Sequence, residues 1–446
     1  MTTSAGDGEK GNNVDENWGW LVTNSSPVQI YCLDSRSEVV VGRHAESCSL
    51  VIDEDLFDVM SHDFGGEDFV RISRNHFTIS KADGEVRAVL TDLSLNGTWV
   101  DGVKVGKGRT ILLSHCSVIA LLGEEWTCFQ YLDRNTMEAT FPDCITDKYL
   151  VGRILGSGTT STVRAGYKIV DGVKVESFAL KLIHCKEDLS HYDFPPESKI
   201  EIKVMKGLSH PCLVKIHEVL VSETELTIVM DLVSGGELFN LIHDQYLDKS
   251  LSESSTKVHF YQIVHCVHYL HSNQVCHRDL KLENILLEKD EDISRIKIID
   301  FGLSKAWNSS TDPLVTYVGT PVYMAPEITK IENESTENSS KSYTSKIDCW
   351  SLGVILYTML SGKRPFTSGP DLQARIMSGR FRPMDGKEWV SISKAAKHLV
   401  KKLLEVDPEV RLSTGQILDH PWFTEDEGSV NYAKRIMFGK SCLGEE

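Results

Sequence analysis

The chain has 446 residues, length for roughly two to four domains, and its 41% AVILMFWYC with 25% charged residues suits a folded globular chain. A formal charge of −17 argues against bulk attraction to nucleic acid or to an anionic membrane surface. No apolar run approaches the ~18 residues of a transmembrane helix, and the eleven cysteines include no CxxC pair, which argues against a zinc site or disulfide scaffold and for free thiols in a reducing compartment.

Residues 1–17, MTTSAGDGEKGNNVDEN, are polar, lack a signal-peptide core and are expected to be disordered. Over 18–131, apolar runs such as SEVVVG, RAVLTDL and SVIALLG are broken by Gly, Asp, Asn and Ser, which predicts an all-β domain of short strands. Inside it, FVRISRNHFTIS (69–80) alternates like a half-buried strand, yet crowds Arg71, Ser73, Arg74 and His76 together. Residues 1–146 hold 11 Lys and Arg against 23 Asp and Glu, so this basic cluster stands out from its surroundings. Residues 132–148 read as a link. From 149 to 423 the pattern changes to strands followed by long helical stretches, such as STKVHFYQIVHCVHYLHS. IENESTENSSKS (331–342) reads as a solvated insertion, and the tail 424–446 reads equally as a helix or a disordered end.

In RILGSGTTSTVRAG (153–166), Gly156 and Gly158 flank Ser157, and Val163 follows. A glycine turn between strands brings backbone N–H groups onto phosphate oxygens because no side chain blocks the approach. No GK[ST] follows, so this is not a Walker A loop; Ser161 stands in the third glycine position, and the chain continues as strand. Alone, the stretch equally fits an ordinary hairpin. Downstream, FALKLI places Lys181 where an ammonium can pair with α and β phosphates, and Glu201, in a helical-looking run with Ile200, Val204 and Leu208, can hold that lysine.

The stretch VCHRDLKLENILL (275–287) is the most specific and fits H-R-D-L-x-x-x-N in full. Asp279 is expected to accept the proton of an attacking hydroxyl, Lys281 to neutralise the moving γ-phosphoryl, and Asn284 to hold magnesium. In KIIDFGLSK, Asp300 is expected to hold magnesium bridging the β and γ oxygens, because phosphoryl transfer gathers negative charge on oxygens already rich in it. His277 and Arg278 support the loop. Glu327, closing VGTPVYMAPE, is expected to pair with a buried Arg411, and Asp348 to cap the catalytic-loop backbone.

Residues 149–423 thereby resemble the eukaryotic protein kinases over their full length. The resemblance implies an α+β bilobal fold with ATP between a β-rich lobe and a helical lobe, and HRDLKLEN and GTPVYMAPE are similar to the serine/threonine versions. It implies a nucleotide site formed by Leu155, Gly156, Ser157, Gly158, Val163, Ala179, Lys181, Met230 as gatekeeper, Asp231 to Val233 as hinge, Glu237 and Leu286. Lys181, Asp279, Asn284 and Asp300 are all present, as an active enzyme requires. Glu237 in SGGELFNLI and Glu283 in the catalytic loop are two carboxylates expected to attract an arginine three residues before the acceptor Ser or Thr. Thr316 and Thr320, in LVTYVGTP, are similar to activation-loop phosphorylation positions, and phosphate on Thr316 can pair with Arg278.

In the first domain, VVGRHAES, VRISRNHFTIS and DLSLNGTWVDGVKVGKG bring Gly42–Arg43, Ser73–Arg74–Asn75–His76 and Asn96–Gly97 into turns between strands. Arg43 supplies a fork for phosphate, Ser73 a hydroxyl, Arg74 a second cation and Asn96 a grip on peptide backbone. His76 is expected to be a buried scaffold residue and Gly97 to permit a tight turn, while Lys104, Lys107 and Arg109 read as a solvated face or as a widening of the basic rim. This resembles the forkhead-associated (FHA) domain, a β-sandwich that binds phosphothreonine peptides.

An FHA domain followed by such a kinase resembles the DNA-damage checkpoint effector kinases. The resemblance implies ATP and Mg2+ as cofactors, phosphothreonine-containing proteins and protein substrates as partners, phosphorylation-dependent homodimerisation, no direct contact with nucleic acid or membrane, and action in the nucleus and also the cytoplasm. It implies a role in DNA damage or in cell-cycle or meiotic checkpoints. The chain departs from many members in containing no SQ or TQ dipeptide, so activation through such a cluster is not implied. The competing reading is a phosphothreonine-dependent adaptor whose kinase domain is weak or silent.

Overall fold

The computed structural model describes residues 17–25, 27–34, 38–60, 66–81, 87–158, 161–170, 174–184, 206–223, 225–244, 247–248, 251–289, 291–300, 321–328 and 345–439. The chain divides into two compact units, Met1–His191 with Val219–Val229, and Tyr192–Glu218 with Met230–Glu446.

The first unit opens with eleven short strands: β1 Gly19–Thr23, β2 Ile30–Leu33, β3 Glu38–Gly42, β4 Leu50–Val51, β5 Phe77–Ser80, β6 Val89–Asp92, β7 Thr98–Val100, β8 Val103–Lys104, β9 Thr110–Leu112, β10 Val118–Leu121 and β11 Thr127–Asp133. They form two sheets, ordered β2-β1-β11-β10-β7-β8 and β4-β3-β5-β6-β9. Inward residues of both sheets, among them Leu21, Val41, Phe77, Ile79, Leu90, Ile119, Phe129 and Tyr131, make one buried core. Each such side chain contributes about 1.5–3 kcal/mol by leaving water.

Besides the short α2, Gly66–Phe69, the sandwich carries a helix not anticipated from sequence, α1 Glu54–Met60. Asp53 Oδ1 accepts from Leu56 N at 2.8 Å and starts it. Leu56, Phe57 and Met60 then join the sandwich core, with Phe57 edge-on to Trp126 at 5.2 Å. The stretch 69–80 is strand only over Phe77–Ser80. Before it, Arg71 N and Ile72 N turn back onto the carbonyls of Asp68 and Phe69, and Arg43 N and His44 N bond those of Ser73 and Arg74. Ile72 is fully buried. Its alternation therefore comes from one core anchor inside a loop, not from a continuous strand.

Residues following β11 are folded. Asp133 accepts from Thr136 N and caps α3, Arg134–Thr140, which leads into α4, Asp143–Thr146. Beyond lie β12 Leu150–Ser157, β13 Ser161–Val170, β14 Lys174–His184, β15 Ile216–Val221 and β16 Glu225–Asp231, in a sheet ordered β12-β13-β14-β16-β15. Met137, Phe141 and Ile145 of the connecting helices pack with Trp20, Val22 and Leu132 of the sandwich, with Tyr149 just before β12, and with Val151, Tyr167 and Leu180 of the β12–β16 sheet. The two sheet systems thus share a core. Gln130 Oε1 accepts from Arg153 N at 3.2 Å, and Arg164 donates to Gly152 O at 2.9 Å while lying over the Phe141 ring.

The second unit is mainly helical: α5 Leu238–Ile242, α6 Glu253–Ser272, α7 Lys346–Ser361, α8 Leu372–Met377, α9 Lys394–Leu403, α10 Thr414–Leu418, α11 Pro421–Thr424 and α12 Glu427–Phe438. Ser252 accepts from Ser255 N and caps α6. Every residue of α7 from Ile347 to Ser361 is buried, the signature of a helix enclosed on all sides. α12 forms in the tail: Asp426 caps it, Lys257 Nζ meets Asp426 Oδ2 at 2.7 Å, and Arg295 Nε donates to Ile436 O. Two short strand pairs complete the second unit, β17 His243–Asp244 with β18 Leu247–Asp248, and β19 Ile285–Leu287 with β20 Ile296–Ile298, the latter directly following the catalytic loop.

Candidate active site and phosphate-facing pocket

The first site lies at one rim of the sandwich. Gly42 ends β3 where a Cβ would meet Arg74 O at 2.2 Å, so only glycine lets the two backbones approach this closely. That approach sets Arg43 against the 71–76 loop, where its Nε donates to Ile72 O at 2.7 Å. His76, fully buried, accepts from Ser73 N at Nδ1 and reaches Gly97 O through Nε2 at 3.1 Å. Burial holds its pKa below the usual histidine value, against the opposing pull of Gly97 O and Asp92. Gly97 has φ +113, a conformation that favours glycine, and a Cβ there would strike the Trp99 ring. Ser73 Oγ accepts from Leu95 N, and Asn96 Nδ2 donates to Arg71 O at 2.7 Å.

These contacts hold Arg43, Ser73, Arg74 and Asn96 around one open pocket of about 650 Å³. His44 and Ser47 are not singled out from sequence, Asn75 is set in the cluster without a role, and Lys107 reads as a solvated face or a widening of the basic rim; all line the same pocket. Ser47 Oγ donates to Asn75 Oδ1 at 2.6 Å and lies 3.0 Å from His44 Nδ1. Arginine, lysine, hydroxyl and amide groups around a concavity are the donor set of an oxyanion site.

In the second sheet, the glycine turn is bounded by Gly158 N donating to Ser161 O at 2.8 Å. Gly156 pairs across with Val163, Val163 with Lys181, and Ala165 with Ala179. Leu155 is exposed at the turn, while Ala179 is buried. Lys181 thus sits on β14 directly across from the strand leaving the turn.

In the second unit, the carboxylate of Asp348 organises the catalytic loop. Its Oδ2 accepts from His277 N at 2.8 Å and its Oδ1 from Arg278 N at 2.9 Å. His271 Nε2 lies 2.8 Å from Oδ2. Burial pushes the Asp348 pKa up, but the hydrogen bond and charge of His271, with the His277 contacts, outweigh it and hold the carboxyl below its ordinary value. Arg278 and Asp300 adopt φ of +69 and +60, a backbone cost of about 1–3 kcal/mol each that the surrounding hydrogen bonds must offset. His277 Nε2 reaches Ile299 O at 2.9 Å and ties the loop to the residue before Asp300.

Asp279 Oδ2 receives Lys281 Nζ at 2.8 Å and Asn284 Nδ2 at 3.1 Å, and the same amide donates to Asp279 O at 2.7 Å. With its nitrogen so committed, Asn284 offers only its amide oxygen to a ligand. Oxygen from an amide and a carboxylate is the donor chemistry magnesium takes, so Asn284 and Asp300 fit such an ion. Leu286 follows on β19, bridged to Glu237. Burial raises the Glu237 pKa, and the charge of Glu283 raises it further. Met230 and Asp231 end β16, with Val233 beyond it. Arg411, with no exposed side-chain surface, forks onto Glu327 at 2.7 and 3.0 Å. Glu201, Thr316 and Thr320 lie outside the described residues, as do residues 1–16 and 331–342.

Residues 149–423 match the protein kinase domain and residues 39–122 the FHA domain. The chain is 34% identical to the ovarian-specific serine/threonine-protein kinase Lok of Drosophila melanogaster, across 94% of this chain and 89% of that one. It is 31% identical to the meiosis-specific serine/threonine-protein kinase MEK1 of Saccharomyces cerevisiae, over 78% and 75% of the two chains. Among solved structures it is similar to that of Rad53 1–466 in complex with AMP-PNP, with 27% identity, a TM-score of 0.50, and coverage of 91% and 99%. A protein kinase transfers the γ-phosphoryl of ATP with magnesium, and those are the cofactors here. The chain belongs to the FHA-domain-containing serine/threonine protein kinases, and it is an enzyme.

Proposed function

We propose that this kinase is brought to its substrates by phosphothreonine docking at the FHA pocket and then phosphorylates Ser or Thr in them, acting in a nuclear DNA-damage or meiotic checkpoint pathway. The observation that carries the docking half is the gathering of Arg43, Ser73, Arg74, Asn96 and Lys107 around one pocket, on a region otherwise rich in acid. Arg43 is anchored through Nε, which leaves its terminal nitrogens to fork a phosphate. The meiosis-specific relative supports the meiotic setting. The same pocket would take a phosphothreonine of a second copy of the chain, giving a phosphorylation-dependent dimer. The domain spans that carry this division of labour are 18–131 and 149–423.

In the catalytic half, the carboxylate of Asp279 takes the proton of the incoming hydroxyl. Its hydrogen bonds to Lys281 and Asn284 fix its orientation. Lys281 neutralises charge on the transferred group, and Lys181, held by Glu201, orients the nucleotide phosphates. Asn284 and Asp300 hold magnesium, which offsets the charge on the phosphate oxygens. The nucleotide lies against Leu155, Gly156, Ser157, Gly158, Val163, Ala179, Met230, Asp231, Val233, Glu237 and Leu286. Glu237 and Glu283 attract a substrate arginine at the minus-three position. Among the described residues, the buried Nε of Arg278 has no hydrogen-bond partner, which supports its pairing with phosphate on Thr316; Thr320 is a second activation-loop position.

Titration with a phosphothreonine peptide and its unmodified counterpart tests the docking half. Arg43→Ala is expected to weaken phosphopeptide binding by about 30-fold, equivalent to about 2 kcal/mol for a charge-assisted pair. Equal affinity of wild type for the two peptides would remove the docking reading.

A further inference from the structure

The acidic substrate site already contains a cation that the sequence did not announce. Arg364 Nη2 lies 3.5 Å from Glu283 Oε1, and both side chains are largely withdrawn from solvent. The guanidinium sits 5.9 Å over the Phe239 ring, two residues along the chain from Glu237. Its neighbour Lys363 is engaged with Glu388 at 3.1 Å and does not share this role. The other oxygen of Glu283, Oε2, is buried and has no hydrogen-bond partner among the described residues. Glu237 is close enough for the charge of Glu283 to raise its pKa, after burial itself. The buried phenol of Tyr323 feels both Glu283 and Arg364, its pKa raised first by burial.

Two carboxylates and one guanidinium leave the cluster with one net negative charge. Partly buried groups of one sign resist a surplus, because low polarity around them magnifies each uncompensated charge. One substrate arginine completes the balance; a second would leave an excess cation. Glu237 is the acceptor left for that arginine, since Glu283 Oε1 is taken by Arg364 and Oε2 is buried.

We propose that Arg364 is a specificity-determining residue: it fills half of the acidic substrate site as a built-in counter-cation and limits the kinase to one upstream arginine. This rests on the reading of Glu237 and Glu283 as the substrate-arginine site. Without Arg364 the site carries two negative charges and accepts a doubly basic substrate. The stacking over Phe239 makes Arg364→Met the suitable change, because methionine keeps an unbranched apolar stem against the ring while the charge goes.

The test is steady-state kinetics on peptides with no, one or two arginines upstream of the acceptor, for wild type, Arg364→Met, Arg364→Lys and Glu237→Gln. For wild type the first arginine should raise kcat/KM about tenfold, mainly through KM, and the second less than about twofold. In Arg364→Met the second arginine should add about another tenfold, and Arg364→Lys should restore the single-arginine profile. An Arg364→Met enzyme with an unaltered melting temperature and the wild-type profile would overturn the proposal. If that variant does not fold, Arg364→Gln serves, with the same expected gain and the same overturning result. Wild type indifferent to any arginine, or a first-arginine gain untouched by Glu237→Gln, would instead bring down the underlying site assignment.

Discussion

Asp279→Asn is expected to lower kcat by about 10³-fold, within the range a positioned general base supplies, while the melting temperature stays near that of wild type. Asparagine matches aspartate in size, and its oxygen can still accept from Lys281 Nζ and Asn284 Nδ2, the two donors that now hold Asp279 Oδ2. What disappears is the negative charge and the ability to take a proton. The ion pair with Lys281 is partly exposed, 39% on the aspartate side, so its loss costs stability about 0–1 kcal/mol. A rate collapse in a folded protein, read by single-turnover phosphorylation beside thermal unfolding, separates proton acceptance from scaffolding. Near-normal kcat in the variant would show that Asp279 only orients its neighbours. Loss of both rate and fold would assign it to the loop's architecture.

Arg411→Met is expected to destabilise the helical unit by about 3–5 kcal/mol, the cost of leaving one partner of a buried pair alone. The guanidinium forks onto Glu327, donates to the backbone carbonyls of Lys346, Glu405 and Val406, and lies 5.2 Å over the Trp350 ring. Methionine fills much of the volume but satisfies none of these acceptors, and Glu327 keeps a charge in a site that is 21% exposed. Arg411→Lys should rescue little, because one ammonium cannot reproduce the planar fork. Glu327→Gln should cost less than Arg411→Met, since the guanidinium it leaves keeps its bonds to the backbone carbonyls of Lys346, Glu405 and Val406. Urea midpoints read the order; a drop below about 1 kcal/mol for Arg411→Met would show that the pair is incidental.

What the sequence disclosed divides along a physical line. HRDLKLEN is contiguous, so Asp279, Lys281 and Asn284 could be read together, and the structure places them within hydrogen-bond distance. The pairing of Glu327 with Arg411 crosses 84 positions, and it is expected from the motifs VGTPVYMAPE and DPEVRLS rather than from any local pattern. FVRISRNH misled because one core anchor, Ile72, falls in step with strand alternation; the bend comes from Gly42 and Arg43, some 29 residues upstream. Helix α1 was hidden in an acidic run, where Leu56, Phe57 and Met60 are too few to establish a helical period. Residues 132–148 looked like a link because Met137, Phe141 and Ile145 are sparse, yet each is buried between two sheets. Arg364 gave no signal at all: a lone arginine in SGKRPF reveals its partner only once Glu283, some 81 residues earlier, is brought beside it.

Phosphothreonine docking at one surface is expected to raise the local concentration of substrate at the other, which delivers phosphate from ATP. The direct measurement is initial-rate kinetics on a tethered pair of substrates, identical in acceptor sequence and differing only in whether a distant threonine carries phosphate, for wild type and Arg43→Ala. Wild type should show KM lower by about tenfold for the phosphorylated partner with kcat unchanged, and Arg43→Ala should show one KM for both. Equal KM values in wild type would contradict the claim.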